Sequence, residues 1–200
     1  MATLRAGDRQ CARSHPLRGF VLAKVDHFDS TAVALHWTTA GLIVVAFGLG
    51  LAVDAFPKDW EHAVVNTHSL LGLAVLALTA ARIAWRLGHA PPPLPEEFGG
   101  PLVRRAAAIV HFLLYALMVA VPLIGIPVLL YRGRGLDFGL FQLPSPFTRT
   151  PEIFRPLQET HELAAYALIG LAAAHMLAAL YHHFIRRDEV LLQMLIPTRR

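Results

Sequence analysis

Charge is scarce in this chain. Only 16% of its 200 residues are Asp, Glu, Lys or Arg, against about 25% in a water-soluble domain. The shortage is concentrated in four apolar runs, about 31–53, 62–85, 102–130 and 157–185. Each is near or above the ~20 residues that a helix needs to cross a bilayer. The first has no charged residue in 23 positions, which no soluble amphipathic helix tolerates. Carboxylates are scarcer still: none lies deep in a run, and only Glu162 stands near one, at the start of the fourth. Proton and cation pathways usually need intramembrane carboxylates, so a pump or an ion antiporter is disfavoured. Cysteine is almost missing. Cys11 alone cannot form an intrachain disulfide, and no CxxC or CxxCH occurs. That excludes covalent c-type haem, iron–sulfur clusters and zinc ribbons. Alternation of the β type is absent over any useful length.

What is present is apolar and helical. Hydrophobic residues make up 55% of the chain and its mean hydropathy is +0.48. The sequence predicts an all-α, integral membrane four-helix bundle in one domain, 26–190, running up-down-up-down. Residues 1–25 are polar, basic and aperiodic, a disordered N-terminal tail; 191–200 form a C-terminal tail. The first apolar run begins too late and runs too long for a cleavable signal, so it should act as an uncleaved anchor. The short loop 54–59, the stiff Pro-rich connector 90–101 and a long Gly/Pro-rich loop with Pro144, Pro146, Pro151 and Pro156 separate the runs. Pro122 and Pro127 predict a kink or an early end to the third helix.

The pI near 9.7 reflects topology, with no nucleic-acid partner implied. An inside N-terminus puts 13 Lys/Arg on the inner side and 5 on the outer side, the bias that sets orientation. Both termini are therefore expected in the cytoplasm. The outer five, Lys58, Arg132, Arg134, Arg149 and Arg155, could concentrate a small anion. Nearby Asp59, Glu61, Asp137 and Glu152 weaken such a field.

The apolar runs carry five histidines: His36, His68, His111, His161 and His175. An imidazole buried without a partner is costly. His161 and His175 are fourteen residues apart, close to four turns and about 21 Å, on one face. With alternating helix directions, His68 meets His161 at outer depth and His36 meets His175 at inner depth. Two stacked pairs suit two bis-histidine b-type haems inside a bundle. Gly41, Gly72, Gly170 and the alanines around His175 could give a flat macrocycle room. Structural histidines bonded to carbonyls are the alternative. Zinc or copper is another, although those metals usually gather three or four ligands. His111 approaches the depth of His175 and could replace His36 as ligand, hold a propionate or line a quinone pocket. His182 and His183, near the inner surface, are candidates for propionate contact. Arg82, Trp85 and Arg86, at the inner end of the second run, could lie near quinone or propionates, or simply snorkel. His15, His27, His62 and His89 fall in tails and loops and are expected to be solvated.

Several stretches, in order, resemble the bacterial di-haem cytochrome b561 family of the inner membrane. They are ALHW at 34–37, NTHSLLG at 66–72, the region 111–115, LYRGRGLDFG at 130–139, the His161–Glu162 pair with a histidine fourteen on, and HHF followed by RRDEVLLQML. The resemblance spans about residues 26–196. It implies four transmembrane helices and two b haems ligated by His36, His68, His161 and His175. It implies electron transfer between a periplasmic partner and the quinone pool. Oxidation of periplasmic superoxide with reduction of ubiquinone is the favoured activity. A membrane-anchor subunit serving a partner oxidoreductase is the alternative. Oxygen activation is not expected where both axial positions of an iron are filled. A haem-free transporter using the histidines directly is the rival of another class.

Overall fold

The computed structural model describes residues 27–92 and 99–195. The expected disordered tail, Cys11, His15 and half of the Pro-rich connector (93–98) lie outside the described residues. Four long helices dominate: α1 (Ser30–Ala52), α2 (Lys58–Gly88), α3 (Pro101–Tyr131) and α4 (Pro151–Tyr181). All four are long and apolar enough to cross a membrane. Two two-residue strands, β1 (Leu136–Asp137) and β2 (Gln142–Leu143), pair antiparallel between α3 and α4. They are too short for their alternation to register in the sequence. A short α5 (Leu192–Leu195) follows α4.

The starts of the helices follow local chemistry. Asp29 caps α1, its Oδ1 accepting from the Ala32 N–H at 2.9 Å. Its Oδ2 accepts from the Trp85 indole at 3.2 Å, tying α1 to the inner end of α2. Partial burial raises the Asp29 carboxyl, but these hydrogen bonds outweigh it and hold it below the ordinary 3.8. Its stabilisation is therefore full above that value and is lost as pH falls through the lower folded-state value. Asp29→Ala should cost about 1 kcal/mol near pH 7, a gap that closes in acid, as thermal melts in detergent would read. α3 and α4 each open with proline, where the missing N–H is no loss.

Two expectations at the helix ends are corrected. Of the kink or early end expected in α3, the early end does not occur: the helix runs through Pro122 and Pro127 to Tyr131. α4 begins at Pro151 and carries Pro156 in its second turn, which shortens the loop before it. At its far end, α4 widens into one π turn, His182–Arg186, and stops at Arg187 in the left-handed conformation, φ 56°.

α1 packs on α2, α2 on α3 and α3 on α4, whereas α1 and α4 barely touch. The helices surround their centre without filling it. The buried apolar core is thin: Ala46, Val64, Val75, Met118, Leu129, Phe154 and Leu168. The deeply buried Thr39 and Thr79 satisfy their hydroxyls on Leu35 O and Val75 O, one turn back. Large apolar side chains such as Val44, Ile109, Phe112, Leu163 and Leu177 are exposed on the outside, where lipid covers them. Residues 192–195, expected within a tail, fold back as α5. The Phe28 N–H donates to Gln193 O, and the Trp37 indole donates to Met194 O.

Candidate cofactor sites

Helix starts set the depth of the histidines. His68 stands ten residues after the first residue of α2, and His161 ten after that of α4. Both are thus about 15 Å from the same end of the bundle. At the other end, His36 is six residues after the first residue of α1, and His175 six before the last of α4. Their rings do meet. The His68 and His161 centroids are 5.9 Å apart, and those of His36 and His175 are 6.5 Å apart. Two imidazoles on opposite sides of one metal, each with nitrogen at about 2.0–2.1 Å, place their centroids roughly 6 Å apart. Both pairs fit that span. His111 lies closer to His175, at 5.1 Å, which is short for two rings on opposite sides of one metal. Among the described residues, no group of three or more His, Cys, Asp or Glu gathers as a metal cluster.

The His68–His161 pair is oriented by carbonyls of neighbouring helices. His68 Nδ1–H donates to Ala46 O on α1 at 2.8 Å, and His161 Nδ1–H donates to Val121 O on α3 at 3.0 Å. A carbonyl only accepts, so Nδ1 carries the hydrogen and Nε2 presents its lone pair. Glycines back both rings. A Cβ at Gly50 would stand 3.2 Å from His68 Cε1, and one at Gly125 would stand 3.0 Å from His161 Cε1. In front of the rings lies a cavity of about 410 Å³ bounded by all four helices. Ala46, Gly72, Val121 and Ile169 supply apolar wall, while Asp54, Ser69, Arg132, Gln158 and Glu162 supply its polar part. Of the glycines expected to make room, Gly72 lines this cavity; Gly41 and Gly170 do not. Gly50 and Gly125, which the sequence reading passed over, do that work because they come from neighbouring helices.

The inner pair is differently supported. His36 Nδ1 is buried with no hydrogen-bond partner among the described residues, as is the Tyr115 hydroxyl. The Arg82 guanidinium sits over the Tyr115 ring, 5.5 Å from its centroid. Arg82 is six residues before the last residue of α2, at the depth of His36 and His175. Orphaned polar atoms beside two facing imidazoles fit a group supplied from outside the chain. His111 donates from Nδ1 to Ala107 O on its own helix.

Other candidates fall at the inner rim. His182 Nδ1 bonds the buried Asp188 carboxylate, which Arg186 also approaches at 3.8 Å. Trp85 stacks on His89 at 3.9 Å, and His27 bonds Leu192 O. His27 and His89 are therefore engaged, contrary to expectation, because α5 and the end of α2 close over them. Arg86, His62 and Arg155 are exposed.

The five cations expected on the outer side are not equivalent. Glu61 takes Arg134 at 2.8 Å and Lys58 at 3.6 Å. Arg132 donates to Gln158 at 2.9 Å, and both Arg132 and Arg149 lie over the Phe154 ring. Burial, then the nearby Arg134, push Arg132 below its usual range, Glu61 opposing. Arg132 shares the cavity wall with two carboxylates, Asp54 and Glu162, the latter accepting from Gln158, while Arg149 lies beside Phe154.

Comparison with known proteins adds to this geometry. The profile of the prokaryotic cytochrome b561 family matches residues 27–196. "Cytochrome b561 homolog 1" of Escherichia coli (strain K12) is 31% identical over 182 residues, 88% of this chain and 100% of the relative. "Probable superoxide oxidase CybB" of Yersinia pestis is 31% identical over 178 residues, 86% of this chain and 97% of the relative. "Cytochrome b562" of Cereibacter sphaeroides is 32% identical over 171 residues, 82% of this chain and 92% of the relative.

Proposed function

The chain belongs to the prokaryotic cytochrome b561 family, multi-pass carriers of electrons in the bacterial inner membrane that bind b-type haem, and on that premise we propose that it is a superoxide:quinone oxidoreductase. In this reading both termini lie in the cytoplasm. His68 and His161 hold one b haem at outer depth, and His36 and His175 hold a second at inner depth. Bound there, b-type haem supplies reversible one-electron transfer. The observation that carries the reading is the pairing of imidazoles at two depths, one pair with both Nδ1 atoms fixed by carbonyls. The relative named as a superoxide oxidase supports the choice of donor.

The stoichiometry is two superoxide anions to one ubiquinone. Each anion gives up one electron and leaves as dioxygen; the quinone takes two electrons and two protons to become quinol. Arg132 and Arg149, with Arg155 nearby, draw the anion toward the outer cavity. Lys58 and Arg134 contribute less, since Glu61 offsets them. At the inner end Arg82, Trp85, Arg86 and His182 border the quinone or the haem carboxylates. His182 donates from Nδ1 to the Asp188 carboxylate. His111 contacts His175 without serving as an axial ligand.

The direct test is quinone reduction by purified protein in liposomes, with a superoxide generator outside. Reduction faster than the no-superoxide rate, and abolished by superoxide dismutase, is expected. Equal rates with and without superoxide would remove superoxide as donor, and co-purification of a redox partner would then favour the anchor-subunit alternative. Arg149→Glu should lower the superoxide-dependent kcat/KM several-fold at low ionic strength. The deficit should shrink as salt screens the site. Gly125→Val should lower the haem-to-protein ratio, because its side chain would displace the His161 ring from Val121 O. Gly48→Ala, where a Cβ meets nothing within 4 Å, should leave that ratio unchanged.

A further inference from the structure

The loop between α3 and α4 carries an apolar hairpin tip that electron transfer does not account for. At this tip Leu140 is 98% exposed, Phe141 59% and Phe138 39%. The tip is rigid. Phe138 and Phe141 stack at 4.7 Å, the Phe138 N–H donates to Phe141 O at 3.0 Å, and Asp137 Oδ1 accepts from the Gly139 N–H at 2.7 Å. Gly139 has φ +81°, which glycine adopts without strain. A stiff turn that presents three large apolar side chains outward is unfavourable in water.

Its tether shows where it sits. Asn66 on α2 grips the hairpin backbone twice: Nδ2–H donates to Asp137 O, and Oδ1 accepts from the Asp137 N–H, both at 2.9 Å. Glu61 and Arg82 bracket twenty uncharged residues of α2, 62–81, the length of one bilayer crossing at about 1.5 Å per residue. Asn66 lies five residues inside the outer bracket, about 7 Å along the helix axis. The strands hold only two residues each, so the tip stays near that level. Irregular backbone at such depth is tolerated only where its polar groups are satisfied. The two bonds to Asn66, the Asp137 carboxylate and the Phe138–Phe141 bond satisfy the base of the hairpin, and the turn's other carbonyls keep it at the polar edge of the bilayer.

We propose that the 136–143 hairpin is an outer-leaflet anchor. Phe138, Leu140 and Phe141 insert into the apolar edge of the bilayer, continuous with the lipid-facing surface of α2. Trp60, exposed in the first turn of α2, marks the interface above them. The anchor has a consequence for the outer cavity. Leu136 lines that cavity, and Arg134, two residues earlier, is paired to Glu61. Lipid at the tip and α2 at the base clamp this part of the cavity wall. Access from water is then left to the side where Arg132 and Arg149 flank Phe154.

The test uses the full chain in lipid nanodiscs, spin-labelled at Leu140→Cys in a Cys11→Ser background. Collision with oxygen, which partitions into lipid, is compared with collision with a water-soluble nickel chelate. Leu163→Cys, on an exposed apolar face of α4, reports lipid. Thr148→Cys, in the exposed loop, reports water. The Leu140 label should follow Leu163, with oxygen collisions several-fold above those of the chelate. Adding Asn66→Ala should move it toward the Thr148 value. A Leu140 label that matches Thr148 in the parent background would overturn the anchor and leave the tip as a surface for a protein partner. Neither outcome depends on the electron donor or on haem content, so this inference and the proposed activity fail separately.

Discussion

His161→Ala is expected to leave the protein with one haem per chain, and His68→Ala with the same loss. His36→Ala and His175→Ala should each remove the other haem. The reason is geometric. Each proposed pair offers two nitrogens, and among the described residues no third ligand stands ready beside the outer pair. A vacated axial position therefore leaves a weakly held, high-spin centre or none. Haem stoichiometry against protein, with reduced-minus-oxidised spectra, reads this directly. His111→Ala is the discriminating control and should keep two low-spin haems, because its 5.1 Å approach to His175 is closer than two ligands on opposite sides of one iron would stand. Loss of haem in His111→Ala but not in His36→Ala would move the ligand from α1 to α3. Two low-spin haems in His161→Ala would sink the ligand scheme as a whole.

The second large effect is expected at Arg82. Its guanidinium forms no ion pair among the described residues and rests on the Tyr115 ring. It stands at the level of His36 and His175, with Arg86 one turn further. A fixed positive charge favours the reduced state of a nearby redox centre. A unit charge at 4 Å is worth about 4 kcal/mol at an effective dielectric of about 20, and about half that at twice the distance. Arg82→Gln should therefore lower the midpoint potential of the inner haem by more than about 59 mV, a tenfold change for one electron. The outer haem should move far less. Redox titration followed by the absorbance of each haem separates the two. Equal shifts in both haems would point to general loosening of the bundle, and no shift would place Arg82 outside the electrostatic reach of the inner site.

Much of the architecture was legible because hydrocarbon imposes a strong rule. A span must be apolar, helical and about 20 residues long, so α1 to α4 stand out from composition alone. The histidine pairs were legible for a similar reason. A fourteen-residue spacing keeps His161 and His175 on one face, and alternating helix directions match them to His68 and His36. The glycine contacts were not legible. Gly50 and Gly125 matter only because His68 and His161 approach from other helices, and no periodicity within one run records that approach. Nor did the outer arginines reveal their differences. Glu61 lies more than seventy positions from Arg134, and pairing across such a gap is a property of the fold.

The sequence by itself determined the membrane class, the number of spans and which histidines pair at two depths, since these follow from local composition and helical period. Tertiary structure alone decided which carbonyls orient the outer imidazoles, which glycines make room for them and which cations pair with Glu61. It also decided that Asn66 holds a hairpin over the outer cavity. Each of these depends on groups far apart in the chain meeting within hydrogen-bond or van der Waals distance, and only the packing of the helices sets those distances.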